Sequence, residues 1–112
     1  GASKHVASIV LAAMSFDRNQ RSALNIRYAQ KTLELSTNLG FTLGSFDRKF
    51  EPQNASSTME WGTKHAIKTA GTIPDIISDT GAVGKEPMIR VIGKNPQDVL
   101  AKIKKITNAS FP

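Results

Sequence analysis

Apolar positions along the chain recur with two periods, near 3.6 and near 2 residues, and the changes between them mark out helices and strands. Val6, Ile9, Val10, Ala13 and Met14 follow three- and four-residue spacing, which predicts a helix capped by Ser3 and ending near Asp17. The polar residues Arg18 to Ser22 read as a loop, and the alternation in Ala23 to Tyr28 reads as a short strand. Ala29 to Leu39 returns to the helical period, with Leu33, Leu35 and Leu39 apolar and Gly40 as its stop. Phe41 to Phe46 is the second predicted strand. Asp47 to Ser57 has no period and contains Pro52 and Asn54, so it is assigned as a loop. Met59, Trp61, Ala66, Ile67 and Ala70 predict a helix over Thr58 to Ala70, closed by Gly71, in which Gly62 costs about 1 kcal/mol relative to alanine. Ile73 to Ser78 reads as a buried strand that Pro74 interrupts early, Asp79 to Pro87 as a loop, and Met88 to Ile92 as a strand closed by Gly93. In the last helix Asn95 is the cap, Pro96 the first helical position, and Val99, Leu100, Ile103 and Ile106 the apolar face. Lys102, Lys104 and Lys105 fall opposite that face, as a solvated surface would place them.

Helices alternating with strands predict a layered α/β fold, and the short Asp79 to Pro87 connection permits an antiparallel pair, so the sheet is expected to be mixed. A chain of 112 residues accommodates one domain. No apolar run approaches the ~20 residues of a membrane span, and Val6 to Met14 is too short and wrongly flanked for a signal peptide. The absence of cysteine excludes disulfides and a thiolate nucleophile, and in so small a domain it favours an intracellular, cytoplasmic setting. Two histidines without cysteine cannot form a zinc centre of standard spacing. The net charge of +6 favours an anionic partner: nucleic acid, an acidic membrane surface, or phosphate groups. The basic residues are scattered and no basic run is interleaved with aromatics, which favours the phosphates of a small molecule. The chain opens on Gly1, and a helix follows at once, as expected of a piece of something longer.

Candidate chemistry lies in four places. The loop Asp79 to Pro87 brings Gly81, Gly84, Lys85 and Glu86 together after a predicted strand, where glycines admit a close ligand, Lys85 supplies charge and an acid can hold a metal; the same residues would also suit a plain hairpin. It is not a P-loop, because the glycine spacing differs and no Ser or Thr follows Lys85. Phe46-Asp47-Arg48 ends one strand and Arg27 another, so the two arginines could clamp a phosphate, or Asp47 and Arg48 could neutralise each other on the surface. Ser3 and His5 stand at a helix N-terminus that favours an anion, or Ser3 is simply the cap. Trp61 could stack on a heterocycle or belong to the core, and His65 reads as surface or packing.

In order along the chain, G-A-S-K-H-V-A (Gly1 to Ala7), N-I-R-Y (Asn25 to Tyr28), F-D-R (Phe46 to Arg48), W-G (Trp61 and Gly62) and P-D-I-I-S-D-T-G-A-V-G-K-E-P-M-I-R-V (Pro74 to Val91) resemble the ThiN family of thiamine-phosphate synthase domains. The resemblance spans nearly all of residues 1–112, read as one ThiN-like domain. It implies a three-layer α/β/α domain with a mixed sheet, similar to the fold of class II sugar-phosphate aldolases. It implies the joining of hydroxymethylpyrimidine diphosphate to hydroxyethylthiazole phosphate, with Mg²⁺, in a domain fused to a phosphomethylpyrimidine kinase. The alternative it implies is a thiamine-phosphate sensor in a transcriptional regulator, where nucleic acid would be met only through a fused domain. Carried over residue by residue, it implies His5 and Arg48 as catalytic residues and Asp79 as the metal ligand. Ser3, Asn25, Arg27, Asp47, Trp61, Gly81, Lys85 and Glu86 are implied as substrate contacts. A homodimer is common for such folds. Family members usually continue upstream of the G-A-S-x-H segment with a basic strand and loop, and carry a more charged segment where this chain has Pro52 to Thr58.

Overall fold

The computed structural model describes residues 2–54 and 57–110, with side chains from Lys4 onward. Among the described residues four helices and four strands follow in the order α1 (Ala2–Met14), β1 (Ser22–Arg27), α2 (Gln30–Asn38), β2 (Leu43–Ser45), α3 (Thr58–Ala70), β3 (Ile76–Asp79), β4 (Met88–Gly93) and α4 (Pro96–Ser110), alternating except at the β3–β4 pair, with a 3-10 turn at Arg48–Phe50. The strand order is β1-β4-β3-β2. β2 and β3 are parallel, while β4 runs antiparallel to both β3 and β1, so the sheet is mixed and β1, β2 and β3 share one direction. Among the described residues no helix is long and apolar enough to cross a membrane.

Period-2 alternation in the strands divides the core between two sides of the sheet. On one side Ile77 and Ile92 meet Ile9 and Ala13 of α1 and Ala66 and Ile67 of α3. On the other, Ile76, Ile89 and Val91 meet Val99 and Ile106 of α4, with Leu33 of α2 packed against them. β3 and β4 are central and buried almost throughout, which explains their near-continuous apolar sequence.

Several boundaries move for identifiable reasons. Helix α1 begins at Ala2, so Ser3 stands in its first turn and not at its cap; the Ser3 side chain lies outside the described residues. The helix ends at Met14, and a hydrogen-bonded turn carries the chain to Asp17. Phe41, expected in a strand, closes α2 instead. Its N–H bonds to the Ser36 carbonyl at 3.0 Å, the Gly40 N–H bonds to that of Thr37 at 3.0 Å, and Gly40 has φ +87°, a Schellman closure. β2 therefore starts two residues later, at Leu43. β3 starts at Ile76 because Pro74 has no N–H to offer, and it runs on to include Asp79.

Two expectations about the surface also change. Lys102 is not simply solvated: its side chain is 16% exposed and its Nζ stands 2.9 Å from Asp75 Oδ1. Asp75 in turn accepts from both the N–H and the hydroxyl of Thr42, at 2.9 and 3.1 Å, tying the start of β2 to α4. Gly62, a weak helix former, sits where the Phe46 ring presses on α3: a Cβ there would lie 2.5 Å from Cε2 and Cζ of that ring.

Candidate functional site

Because β1, β2 and β3 run the same way, their carboxyl ends meet at one edge of the sheet, where open α/β sheets place ligands. The start of β4 and the N-termini of α1 and α3 lie at the same edge. They enclose a cavity of about 630 Å³. From α1 it is lined by Lys4, His5 and Ser8, from the turn after β2 by Arg48, and from the start of α3 by Ser57, Thr58 and Met59. Lys85, Glu86 and Met88 form the remaining wall. His5, Arg48, Lys85 and Glu86, distant in sequence, are thus brought together.

Local sequence explains the placement. Ser57 caps α3 by accepting from the Glu60 N–H at 3.2 Å, and Ser57-Thr58-Met59-Glu60 has the capping-box spacing. The positive end of α3 therefore opens on the cavity, as does the first turn of α1. Three cations, Lys4, Arg48 and Lys85, face one carboxylate, Glu86, so the surplus charge is positive. Helix N-termini with a cationic surplus favour a phosphorylated ligand.

The turn before β4 is a tight loop in which the Ala82 N–H bonds to the Lys85 carbonyl at 3.1 Å and the Lys85 N–H to that of Ala82 at 2.9 Å. Gly81 and Gly84 have φ of +80° and +72°. Gly81 shapes this turn and does not offer its N–H outward: that group donates to Asp79 Oδ1 at 2.8 Å, and a Cβ on Gly81 would stand 2.5 Å from the Lys85 carbonyl oxygen. The expectation of Gly81 as a substrate contact gives way to a conformational role.

Behind Arg48 lies a buried charge cluster, whose Asp79 also lines a separate, smaller cavity. Arg48 Nε donates to Asp79 Oδ1 at 3.1 Å, and Arg90 Nη2 stands 2.7 Å from Asp79 Oδ2. The Asp79 side chain is fully buried. Burial pushes the Arg90 guanidinium down from its ordinary range, Asp79 pulls it back up, and Arg48 lowers it further. Arg90 remains a cation, as arginine does throughout the physiological range. Asp79 therefore does not fit the metal role: its carboxylate is committed to two guanidinium groups and an N–H, and their charges repel a cation. Among the described residues no group of three or more His, Asp or Glu is placed to hold a metal ion.

The two-arginine clamp takes a different form from the one expected. Arg27 ends β1 and Arg48 follows β2, at opposite edges of the sheet, roughly 14 Å apart at ~4.8 Å per strand. Arg27 is exposed and does not line the cavity, although its register partner Met88 does. The second arginine is Arg90, whose one sequence signal is a lone cation inside the apolar strand M-I-R-V-I. Asn25 pairs in register with Arg90, and its Oδ1 is buried without a hydrogen-bond partner among the described residues.

Asp47 and Trp61 fall elsewhere. Asp47 caps the 3-10 turn by accepting from the Lys49 N–H at 3.0 Å, and it lines a separate cavity of about 350 Å³ with Phe50, His65 and Thr80. Trp61 packs on the first core cluster, edge-on to Phe46 at 5.8 Å, and stacks on His65 at 5.4 Å. Lys4, Ser8, Ser57, Thr58 and Met59 were not anticipated as site residues, because only the fold brings the two helix starts together.

The model of the family described as thiamine-phosphate synthase ThiN matches residues 1–105. The chain is 48% identical over 106 residues to the bifunctional thiamine biosynthesis protein ThiDN of Methanocaldococcus jannaschii, covering 95% of this chain and 25% of that protein. It is 34% identical over 103 residues to thiamine-phosphate synthase ThiN of Methanothermobacter thermautotrophicus, covering 88% of this chain and 54% of that protein. Among solved structures, a C-terminal domain of phosphomethylpyrimidine kinase superposes with a TM-score of 0.83 at 43% identity, covering 91% of this chain and 60% of that one. Another solved C-terminal domain gives a TM-score of 0.89 at 45% identity, covering 95% and 57%. The chain thus spans a quarter to about half the length of the curated relatives it matches. With the family model covering nearly all of it and relatives of this identity, the chain belongs to the thiamine-phosphate synthase ThiN family.

Proposed function

We propose that this chain is the domain of a longer polypeptide that joins hydroxymethylpyrimidine diphosphate to hydroxyethylthiazole phosphate, giving thiamine phosphate and pyrophosphate. The observation that carries the reading is the meeting of His5, Arg48 and Lys85 with two helix N-termini on one cavity of about 630 Å³. That volume lies within the range of about 300–1,000 Å³ usual for small-molecule sites. The relatives' names support the synthase over the sensor alternative; one relative is named bifunctional, and one solved structure is the C-terminal domain of a phosphomethylpyrimidine kinase.

The reaction breaks the bond from the pyrimidine methylene carbon to the diphosphate oxygen, and the electron pair leaves with the diphosphate. The thiazole nitrogen then donates its lone pair to that carbon, which needs no nucleophilic side chain. The chain's own part is to bind and stabilise the leaving diphosphate. Donors fixed where negative charge grows lower the barrier more than they bind the ground state. In this reading Arg48, Lys85 and His5, which line the cavity beside the start of α3, take that part. Were Mg²⁺ to accompany the diphosphate, Glu86 would be the cavity carboxylate to hold it, since Mg²⁺ is commonly held by one or two carboxylates together with substrate phosphates.

The same reading takes the helices on both sides of the sheet as the outer layers of a three-layer, aldolase-like domain, and the protein as a cytoplasmic homodimer. The test is to incubate the complete polypeptide with both phosphorylated precursors and Mg²⁺ and to look for thiamine phosphate and pyrophosphate. Folded protein that yields no product would sink the reading.

A further inference from the structure

The mechanism above uses only Arg48 of the three charged groups that meet in the buried cluster. Arg48 touches the cavity, with its side chain 12% exposed; Arg90, at 1%, reaches neither cavity nor solvent. The Arg90 guanidinium is enclosed, 5.0 Å above the Phe46 ring, with Nη2 3.2 Å from Met59 Sδ. Its Nε and Nη1 find no hydrogen-bond partner among the described residues. A buried guanidinium is costly unless a charge answers it, and a purely structural pair would match one cation to one anion. Here two cations face one carboxylate, which leaves a positive surplus in the cluster.

We propose that Asp79 and Arg90 are positioning residues for Arg48. Asp79 holds the Nε edge of Arg48 so that its two terminal nitrogens are left for an oxyanion, and Arg90 offsets the Asp79 charge so that Arg48 still attracts one. Two observations support the division of labour. The only partner of the Arg48 side chain among the described residues is Asp79, through Nε. Asp79 Oδ1 is itself fixed by the Gly81 N–H, so it cannot follow Arg48 if that side chain swings. The inference rests on the diphosphate reading of the cavity.

The two roles differ in sign when tested. Removing the Asp79 charge should strengthen anion binding if only Coulomb attraction matters, and should weaken it if Asp79 aims Arg48. The experiment is calorimetric titration of the complete polypeptide with inorganic pyrophosphate, each variant first checked by thermal melting. Asp79→Asn is expected to bind about tenfold more weakly or worse, the scale of one lost charge-assisted hydrogen bond. Arg90→Met is expected to weaken binding similarly, and Arg90→Lys to recover part of the loss. In an Arg48→Ala background, Asp79→Asn should cause no further loss. Binding by Asp79→Asn as tight as or tighter than that of the unaltered protein overturns the proposal, as does an unchanged Arg90→Met. If Asp79→Asn does not fold, the Arg90 pair decides: equal affinity of Met and Lys variants overturns it, and partial recovery by Lys upholds it. Absence of pyrophosphate binding by the unaltered protein would overturn this inference and the cavity assignment together. Synthesis of thiamine phosphate with unaltered Asp79→Asn affinity would overturn this inference alone.

Discussion

The ring of Phe46 fills the space that a side chain at position 62 would need, so that F-D-R and W-G, separate motifs in sequence, form one contact between the residue just after β2 and α3. The same ring meets Trp61 edge-on and carries the Arg90 guanidinium on its face. Gly62 is therefore kept at a helix interior despite its low propensity, because it lets the chain just before Arg48 lie close to α3.

Gly62→Ala is predicted to destabilise the domain. The gain of roughly 1 kcal/mol in helix propensity is outweighed by an overpacking cost of about 1–3 kcal/mol, since the contact at 2.5 Å is with a buried ring and not a flexible chain end. Denaturant unfolding should show the loss, and adding Phe46→Leu should recover part of it. A stabilised Gly62→Ala would mean the ring moves aside freely.

The two histidines should behave differently. His5 lines the cavity, while His65 is exposed and stacked on Trp61. His5→Ala is predicted to lower kcat for thiamine phosphate formation by about 10²-fold or more, the scale of one lost transition-state donor. His65→Ala should leave kcat within a small factor. Both should keep the melting temperature, since each ring is exposed. Equal kinetic effects would remove His5 from the mechanism.

Gly81 and Gly84 share a left-handed conformation but not a neighbourhood. A Cβ at Gly81 meets the Lys85 carbonyl, whereas one at Gly84 meets nothing within 4 Å among the described residues. Gly84→Ala should cost about 1–2 kcal/mol from backbone conformation alone. Gly81→Ala should cost more and raise KM for the diphosphate, because it displaces Lys85 and disturbs the N–H held by Asp79. Similar stability and KM for the two variants would contradict the account of this loop.

Asp75 should govern part of the acid limb of stability. Burial pushes its carboxyl up, but the bonds from Thr42 and the Lys102 ammonium outweigh burial and hold it below the usual carboxylate range. A carboxyl lowered on folding adds stability above its unfolded value, about 3.9, and that stability is lost as pH falls through the folded value. Asp75→Asn should therefore lower the melting temperature at pH 7 and flatten its decline below about pH 4. An unchanged acid limb would show that the Thr42–Asp75–Lys102 link contributes little.

The elements were largely legible because each carries local grammar: Asn95-Pro96 opens α4, Gly40 and Gly71 close helices, and the M-I-R-V-I run marks a central strand. Boundaries failed where a residue served a neighbour, as Phe41 serves the end of α2 and Pro74 delays β3. His5, Arg48, Lys85 and Glu86 were legible as candidates through ordered motifs, but their meeting on one cavity was not. Arg27 and Arg90 show why. Both are strand arginines, and only the order β1-β4-β3-β2 sends one to an exposed edge and the other into the buried cluster. Asp79 as a metal ligand was implied by the family resemblance, and sequence does not show the two guanidinium groups that occupy it.

The most direct test of where the chemistry lies is a crystal structure of the complete polypeptide with pyrophosphate bound. Phosphate density is expected between His5, Arg48 and Lys85, against the first turn of α3, with Arg48 still joined to Asp79. Density at the opposite end of the sheet, in the cavity lined by Phe16, Gln20 and Lys68, with the His5 cavity empty, would contradict this placement of the site.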